Sequence, residues 1–288
     1  MKNVIEISGL NKTYEKFALT DISFSIPEGC IVGFIGLNGQ GKTTTIRSML
    51  GLSQKDSGQI SIFGMNLDED SRQIKDRIGV VFDEGYLYDS LKIREMKSII
   101  SKAYSNWDDS SYYKYLNKFS LDENQKIATL SKGMKMKFAL TLALSHHAEL
   151  LIMDEPTSGL DPLVRKELME ILNDFMKVGG KGVFYSSHIT SDLDKFADII
   201  VFINKGQIVF VEDKDSLLDS YVRVKGDKAL INEESKKYFL SLKESDYGFS
   251  GITERLDELN HLIPGIIVER INIEDIMLAY VEGGSLDA

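Results

Sequence analysis

Two short segments near the start of the chain, 4–8 and 22–26, carry an apolar residue at every second position, the period of strands buried on one face. They predict a small antiparallel sheet. From residue 31 the texture changes to short, almost continuous apolar runs at 31–35, 78–82, 150–153, 182–185 and 199–203, several of them separated by helical patterns. Runs of this kind suit strands covered on both faces, so they predict a largely parallel sheet in an α/β domain. Between 84 and 147 the strand pattern stops. There 92–103 and 110–119 read as helices, and a third begins near Ser131, with Met134, Phe138 and Leu142 four apart, before turning apolar on all sides. This segment reads as a helical insertion. Past 216 the pattern is strand-like at 221–225 and 265–271 and helical at 233–242, 252–261 and 274–281. The expected organisation is a domain over 1–215, with its core at 1–83 and 148–215 and its helical subdomain at 84–147, followed by an α+β accessory module at 216–288.

Length and composition narrow the options. A chain of 288 residues with 43% hydrophobic positions accommodates about two packed domains and is not a disordered protein. With 34 basic and 44 acidic residues the net charge is −10, the wrong sign for neutralising nucleic-acid phosphates, so no nucleic-acid partner is expected. Residues 216–288 hold 8 basic and 14 acidic residues, which marks the tail as a separate module. No stretch approaches the roughly 18 apolar residues of a membrane span, and the start of the chain lacks an apolar signal core, so the default compartment is the cytoplasm. Cys30 is the single cysteine and forms no internal disulfide.

The chemistry is concentrated in a few short stretches. Gly36-Leu37-Asn38-Gly39-Gln40-Gly41-Lys42-Thr43 fits G-x-x-x-x-G-K-[ST] and falls between a predicted strand and a helix starting near Lys42. In that context glycines let backbone N–H groups turn toward phosphate oxygens, Lys42 supplies a point charge, and the Thr43 hydroxyl can ligate Mg²⁺. The run at 150–153 ends in Asp154-Glu155, beside that loop if both strands lie parallel, since ligands gather at the carboxyl ends of such strands. Asp154 suits a metal, and Glu155 suits activation of a water. Leu130-Ser131-Lys132-Gly133-Met134 opens the third helix of the insertion. It reads either as a second phosphate-binding helix start or as a plain N-cap with a packing glycine. A compact domain cannot readily aim two such helix starts at one nucleotide, whereas two facing chains can.

Together these residues resemble the nucleotide-binding subunits of ATP-binding cassette (ABC) transporters, over about residues 1–215 and through seven motifs in order. The resemblance implies a P-loop NTPase (RecA-like) core with an N-terminal antiparallel sheet and a helical subdomain. It implies that Tyr14 stacks on adenine, a contact worth about 1–3 kcal/mol. It makes Gly36, Asn38, Gly39, Gly41, Lys42, Thr43 and Thr44 the phosphate-binding set, Asp154 the metal carboxylate, Glu155 the catalytic base and Asp161 part of the D-loop. His188 is the switch histidine facing the γ-phosphate, ahead of a helix that Ser191 is expected to cap. Two motifs depart from the family. Its signature L-S-G-G-Q is L-S-K-G-M here, keeping Ser131 and Gly133, as in ABC-2-type exporters. The Q-loop glutamine is replaced by Asp83, with Asp83 or Glu84 left to reach the metal. The resemblance further implies ATP and Mg²⁺, a second ATPase subunit, a membrane-spanning permease, and a place on the cytoplasmic face of the cell membrane. Gram-positive exporters of amphipathic or antimicrobial peptides, phenol-soluble modulins among the cargoes, have similar sequences. A soluble ABC ATPase of DNA repair or translation and a non-hydrolysing regulatory subunit are the alternatives. The segment Gly85-Tyr86-Leu87-Tyr88-Asp89 is either a permease-binding edge or internal packing, and the cluster Lys132, Lys135 and Lys137 reads as a solvated face with some attraction for phosphate.

Overall fold

The apolar runs assemble as parallel strands because a chain segment apolar on both sides must be covered on both faces. In this computed structural model residues 2–83 and 86–283 are described; Glu84 and Gly85 lie outside them. Along the chain the elements are β1 (Asn3–Tyr14), β2 (Phe17–Pro27), β3 (Ile31–Ile35), α1 (Lys42–Met49), β4 (Ser57–Ile62), β5 (Met65–Asn66), α2 (Leu67–Asp76), β6 (Ile78–Phe82), α3 (Ile93–Ile100), α4 (Asp109–Lys118), α5 (Lys132–Leu144), β7 (Leu150–Asp154), α6 (Pro162–Met176) and β8 (Gly182–Ser187). They continue as α7 (Thr190–Phe196), β9 (Ile199–Asn204), β10 (Gln207–Asp213), α8 (Lys214–Ser220), β11 (Val222–Gly226), α9 (Glu233–Lys236), β12 (Ser241–Ser245), β13 (Gly248–Thr253), α10 (Leu256–Leu262), β14 (Ile267–Glu269) and α11 (Ile273–Gly283).

The sheet that carries the site has the order β10-β9-β3-β8-β7-β6. Its strands β3, β7 and β8 are buried at every position, as their composition requires. Parallel pairing aligns Ile35 with Ser187, Ser186 with Asp154 and Asp154 with Phe82, so the carboxyl ends of four strands lie side by side. A second sheet, β2-β1-β4-β5, packs on the first through aromatic rings, with Phe24 of β2 stacked on Phe184 at 5.9 Å and tilted against Phe34 at 6.2 Å. The helical insertion holds α3, α4 and α5. The last of these is buried from Phe138 to Leu144, matching its all-round apolar sequence.

The chain separates into two compact units, 1–188 with 201–211, and 189–200 with 212–288. This division differs from the boundary expected at 215, because α7 groups with the tail: the Asp194 carboxylate accepts a hydrogen bond from the Ile273 backbone at 3.1 Å. Burial raises the pKa of Asp194. Asp194 is therefore not half of a helix cap with Ser191; α7 begins at Thr190, with Ile189 as a cap that offers no side-chain bond. The first unit holds 24 basic and 24 acidic residues and the second 10 and 20, so the whole net charge of −10 belongs to the second.

The second unit contains the sheet β12-β13-β11-β14, packed around Val224, Phe239, Phe249, Leu259 and Ile263. Two expected helices are corrected here. The stretch 233–242 is helical only at Glu233–Lys236, and 252–261 begins inside β13. Between them β12 and β13 form a hairpin closed at Ser245 and Gly248, where φ is +145° and a Cβ would strike the Gly226 carbonyl at 2.4 Å. The glycine's freedom lets the chain reverse there, which outweighs the helical spacing of Tyr238, Leu242 and their neighbours.

Candidate nucleotide site

The loop 36–41 leaves β3 and turns into α1 through Gly39 and Gly41, at φ +80° and +114°, with Gly41 as the cap of α1. A side chain is excluded at Gly36, where a Cβ would lie 2.5 Å from the Ile203 carbonyl. At Gly41 it would meet Leu19 at 2.7 Å and Phe17 at 2.9 Å. The loop is thus seated between the end of β9 and the β1–β2 tip. Gln40 adds a tie that its sequence did not advertise: its side-chain oxygen accepts from the Lys205 backbone at 2.5 Å, and its carbonyl accepts from Gly206 at 3.1 Å. Asn38 and Thr43 are exposed and Thr44 is half-buried, at the open side of the loop.

Lys42 is 5% exposed and donates to the Gly36 carbonyl at 2.6 Å and the Leu37 carbonyl at 3.3 Å. Its ammonium also lies 3.1 Å from Glu155 Oε1, an oxygen that is buried and otherwise without a hydrogen-bond partner. Glu155 Oε2 meets His188 Nδ1 at 2.7 Å and the His188 backbone N–H at 3.3 Å. One carboxylate therefore bridges the loop lysine and the histidine at the end of β8. The aim of Glu155 depends on its backbone, which stands at φ +50°, an unusual conformation for a residue with a side chain, and donates to the Ser186 carbonyl and hydroxyl at 3.2 and 3.0 Å. Ser186 in turn donates to Asp154 at 2.7 Å. Ser186 was missed from sequence because a serine at the end of an apolar run carries no spacing signal.

Asp154 is buried and its partners leave lone pairs free, and Thr43 offers a hydroxyl at the start of α1. Among the described residues no group of three or more His, Cys, Asp or Glu side chains forms a metal cluster. A carboxylate and a hydroxyl, completed by substrate phosphates, is the oxygen donor set that suits Mg²⁺ rather than a thiophilic metal. Asp83, the other expected ligand, pairs through Oδ1 with Lys132 at 2.6 Å.

The remaining residues lie around this centre. Tyr14 is at the tip of β1, 46% exposed, its hydroxyl 3.0 Å from Ser53 Oγ. Asp161 caps α6 by accepting from Leu163 and Val164, each at 3.0 Å. Ser131 caps α5, its hydroxyl accepting from Met134 at 3.2 Å, and Gly133 presses on Val164, where a Cβ would come within 3.3 Å. Among the described residues no hydrogen bond or ion pair joins Ser131 or Gly133 to the phosphate loop of the same chain. The lysines of α5 are not a free cationic face. Lys132, Lys135 and Lys137 pair with Asp83, Asp89 and Glu167 at 2.6, 2.7 and 2.5 Å, which corrects the expectation of attraction for phosphate.

A family profile described as ABC transporter matches residues 19–158. A bacitracin transport ATP-binding protein of Bacillus licheniformis is 35% identical, the match covering 73% of this chain and 69% of that one. A lantibiotic transport ATP-binding protein of Streptococcus pyogenes is 34% identical over 74% of this chain and 92% of its own. A solved ATP-binding subunit of an ABC transporter superposes with a TM-score of 0.68 at 29% identity, covering 75% of this chain and 92% of that chain. A dimeric ATP-binding cassette bound to ADP and Pi superposes at 0.65 and, at 23% identity, shares the fold, covering 73% of this chain and 98% of that chain.

Proposed function

The chain belongs to the ATP-binding subunits of ABC transporters, and from that premise we propose how its residues divide the work. It binds ATP and hydrolyses it to drive transport. The observation that carries the assignment of roles is the single carboxylate held between Lys42 and His188. In our reading, the loop at 36–44 takes the phosphates on its backbone N–H groups, and Lys42 balances the charge that builds on the γ-phosphate. Glu155 accepts a proton from the attacking water, and His188 holds that carboxylate by donating from Nδ1; in its doubly protonated form it would also donate toward the phosphate from Nε2. Thr43 and Asp154 would hold Mg²⁺, which neutralises phosphate charge. Tyr14 offers its exposed ring face to the adenine, and Asp161 lies where α6 meets a second subunit.

Two copies sandwich two nucleotides, each between the phosphate loop of one subunit and the Ser131–Gly133 turn of the other, a symmetric arrangement that gives the unpaired turn a partner. Among the described residues no helix is long and apolar enough to cross a membrane. Relatives that are transport ATP-binding proteins support a translocation path through a membrane-spanning permease and a place for this chain at the cytoplasmic face of the cell membrane. Relatives named for bacitracin and lantibiotic transport support a cargo of amphipathic or antimicrobial peptides. Cells that express the chain with its permease are expected to tolerate such a peptide, and Lys42→Ala to return the inhibitory concentration to that of cells lacking both. Tolerance retained by Lys42→Ala would count against ATP-driven export.

The permease edge is narrower than the sequence suggested. Tyr86 turns inward, its ring edge-on to Phe82 at 5.8 Å, and burial, with a smaller effect of Asp83, raises the pKa of its hydroxyl. Tyr88 is 62% exposed, which supports it as the residue available to a partner. Tyr88→Ala is expected to reduce co-purification with the permease several-fold while ATP turnover of the chain alone stays unchanged. Undiminished co-purification would remove Tyr88 from the interface.

A further inference from the structure

The two departures from the family pattern meet in space. Lys132 stands where the signature has a glycine, Asp83 where the Q-loop has a glutamine, and the ammonium of one lies 2.6 Å from the carboxylate of the other. Either change alone is unfavourable: an aspartate adds negative charge beside a phosphate site, and a lysine beside a neutral amide lacks a counter-charge. Together they cancel. We propose that Asp83 and Lys132 are a matched positioning pair, in which Asp83 serves the reaction by holding Lys132, and through it the Ser131–Gly133 turn. This rests on the ATPase reading above.

The surroundings support it. Lys132 is the first residue of α5, directly after the cap Ser131, so fixing its side chain fixes the turn. Its aliphatic arm lies over Gly159 in the turn after β7, where φ is +66° and a Cβ would come within 3.5 Å of Lys132 Cδ and 3.4 Å of Nζ. Gly133 is seated on Val164 of α6. One turn further along α5, Lys135 pairs with Asp89 at 2.7 Å, so the first turn of the helix grips both ends of the segment 83–89. Asp83 follows Phe82, which is in register with Asp154 on the neighbouring strand. The exit of β6, the turn after β7 and the cap of α5 therefore converge on one ammonium. A turn offered to the partner's nucleotide is thereby tied to strand ends that form this chain's own site.

The test compares Asp83→Asn, Lys132→Met and the exchange of Asp83→Lys with Lys132→Asp in the full-length chain. Each single variant is expected to lower kcat/KM for ATP about three- to tenfold, as suits a partly exposed pair, and the exchange to recover to within about twofold of wild type. Half-saturating Mg²⁺ should not move in any of them. In EDTA, without nucleotide, the melting shift of the double variant Asp83→Asn with Lys132→Met should be smaller than the sum of the two single shifts. If the exchange does not fold, Asp83→Gln with Lys132→Gly provides the same comparison. An exchange no better than the worse single variant, or additive melting shifts, would overturn the pairing, and a raised Mg²⁺ requirement for Asp83→Asn alone would overturn it in favour of a metal-ligand role for Asp83. Wild-type protein that neither binds nor hydrolyses ATP would instead remove the reading on which the proposal rests.

Discussion

Glu155→Gln is expected to reduce ATP turnover by about 10² to 10⁴-fold, the usual contribution of a positioned general base. The substitution keeps the shape of the side chain, its left-handed backbone and its ties to Ser186, and removes only the capacity to accept a proton at neutral pH. Nucleotide binding should survive and even tighten, because a neutral amide competes less well than a carboxylate for Lys42. ATP-bound dimers should then accumulate on a sizing column, whereas the wild-type chain hydrolyses its way back to monomers. Turnover close to wild type would assign the base to another residue.

The second large effect separates one composite site from another. Chains carrying Lys42→Ala have a defective phosphate loop and an intact Ser131 turn, and chains carrying Ser131→Arg have the reverse. Each variant alone forms dimers with two broken sites and should be inactive. Mixed in equal amounts, half of the dimers regain one complete site, so activity should return to about a quarter of wild type if the two sites fire independently. No recovery on mixing, or the same activity from either variant alone as from the mixture, would rule out the sandwich. The structural basis is that one chain carries two helix starts suited to anions, at Gly41 and at Ser131, that do not touch each other.

Parallel strands were legible because five-residue apolar runs admit few other placements, and the phosphate loop because its glycines, lysine and threonine sit at fixed offsets between such a run and a helix. The ends of those runs also located Asp154, Glu155 and His188. What the sequence could not carry was long-range pairing. Asp83 and Lys132 are 49 positions apart, and nothing in either local context signals the other. Gln40 and Ser186 are equally silent, since their work is to hold backbone and carboxylate groups that arrive from other strands. In the tail, Tyr238 and Leu242 keep a helical interval while Ser241–Ser245 pairs with β13, so a local period lost to tertiary pairing.

The contact between Lys42 and Glu155 also governs how charge is exchanged when ATP arrives. A lysine waiting with no counter-ion would draw a phosphate by simple attraction, strongly dependent on ionic strength. Under the roles proposed above, an incoming phosphate would displace a carboxylate from the same ammonium, so the lysine would trade one anion for another and the net gain in attraction would be small. The displaced carboxylate is left beside His188, close to the phosphate it has just replaced. On that reading, recognition of the nucleotide and release of the proposed base would be one ion exchange, and the group assigned to activate water would become free only when there is a phosphate for that water to attack.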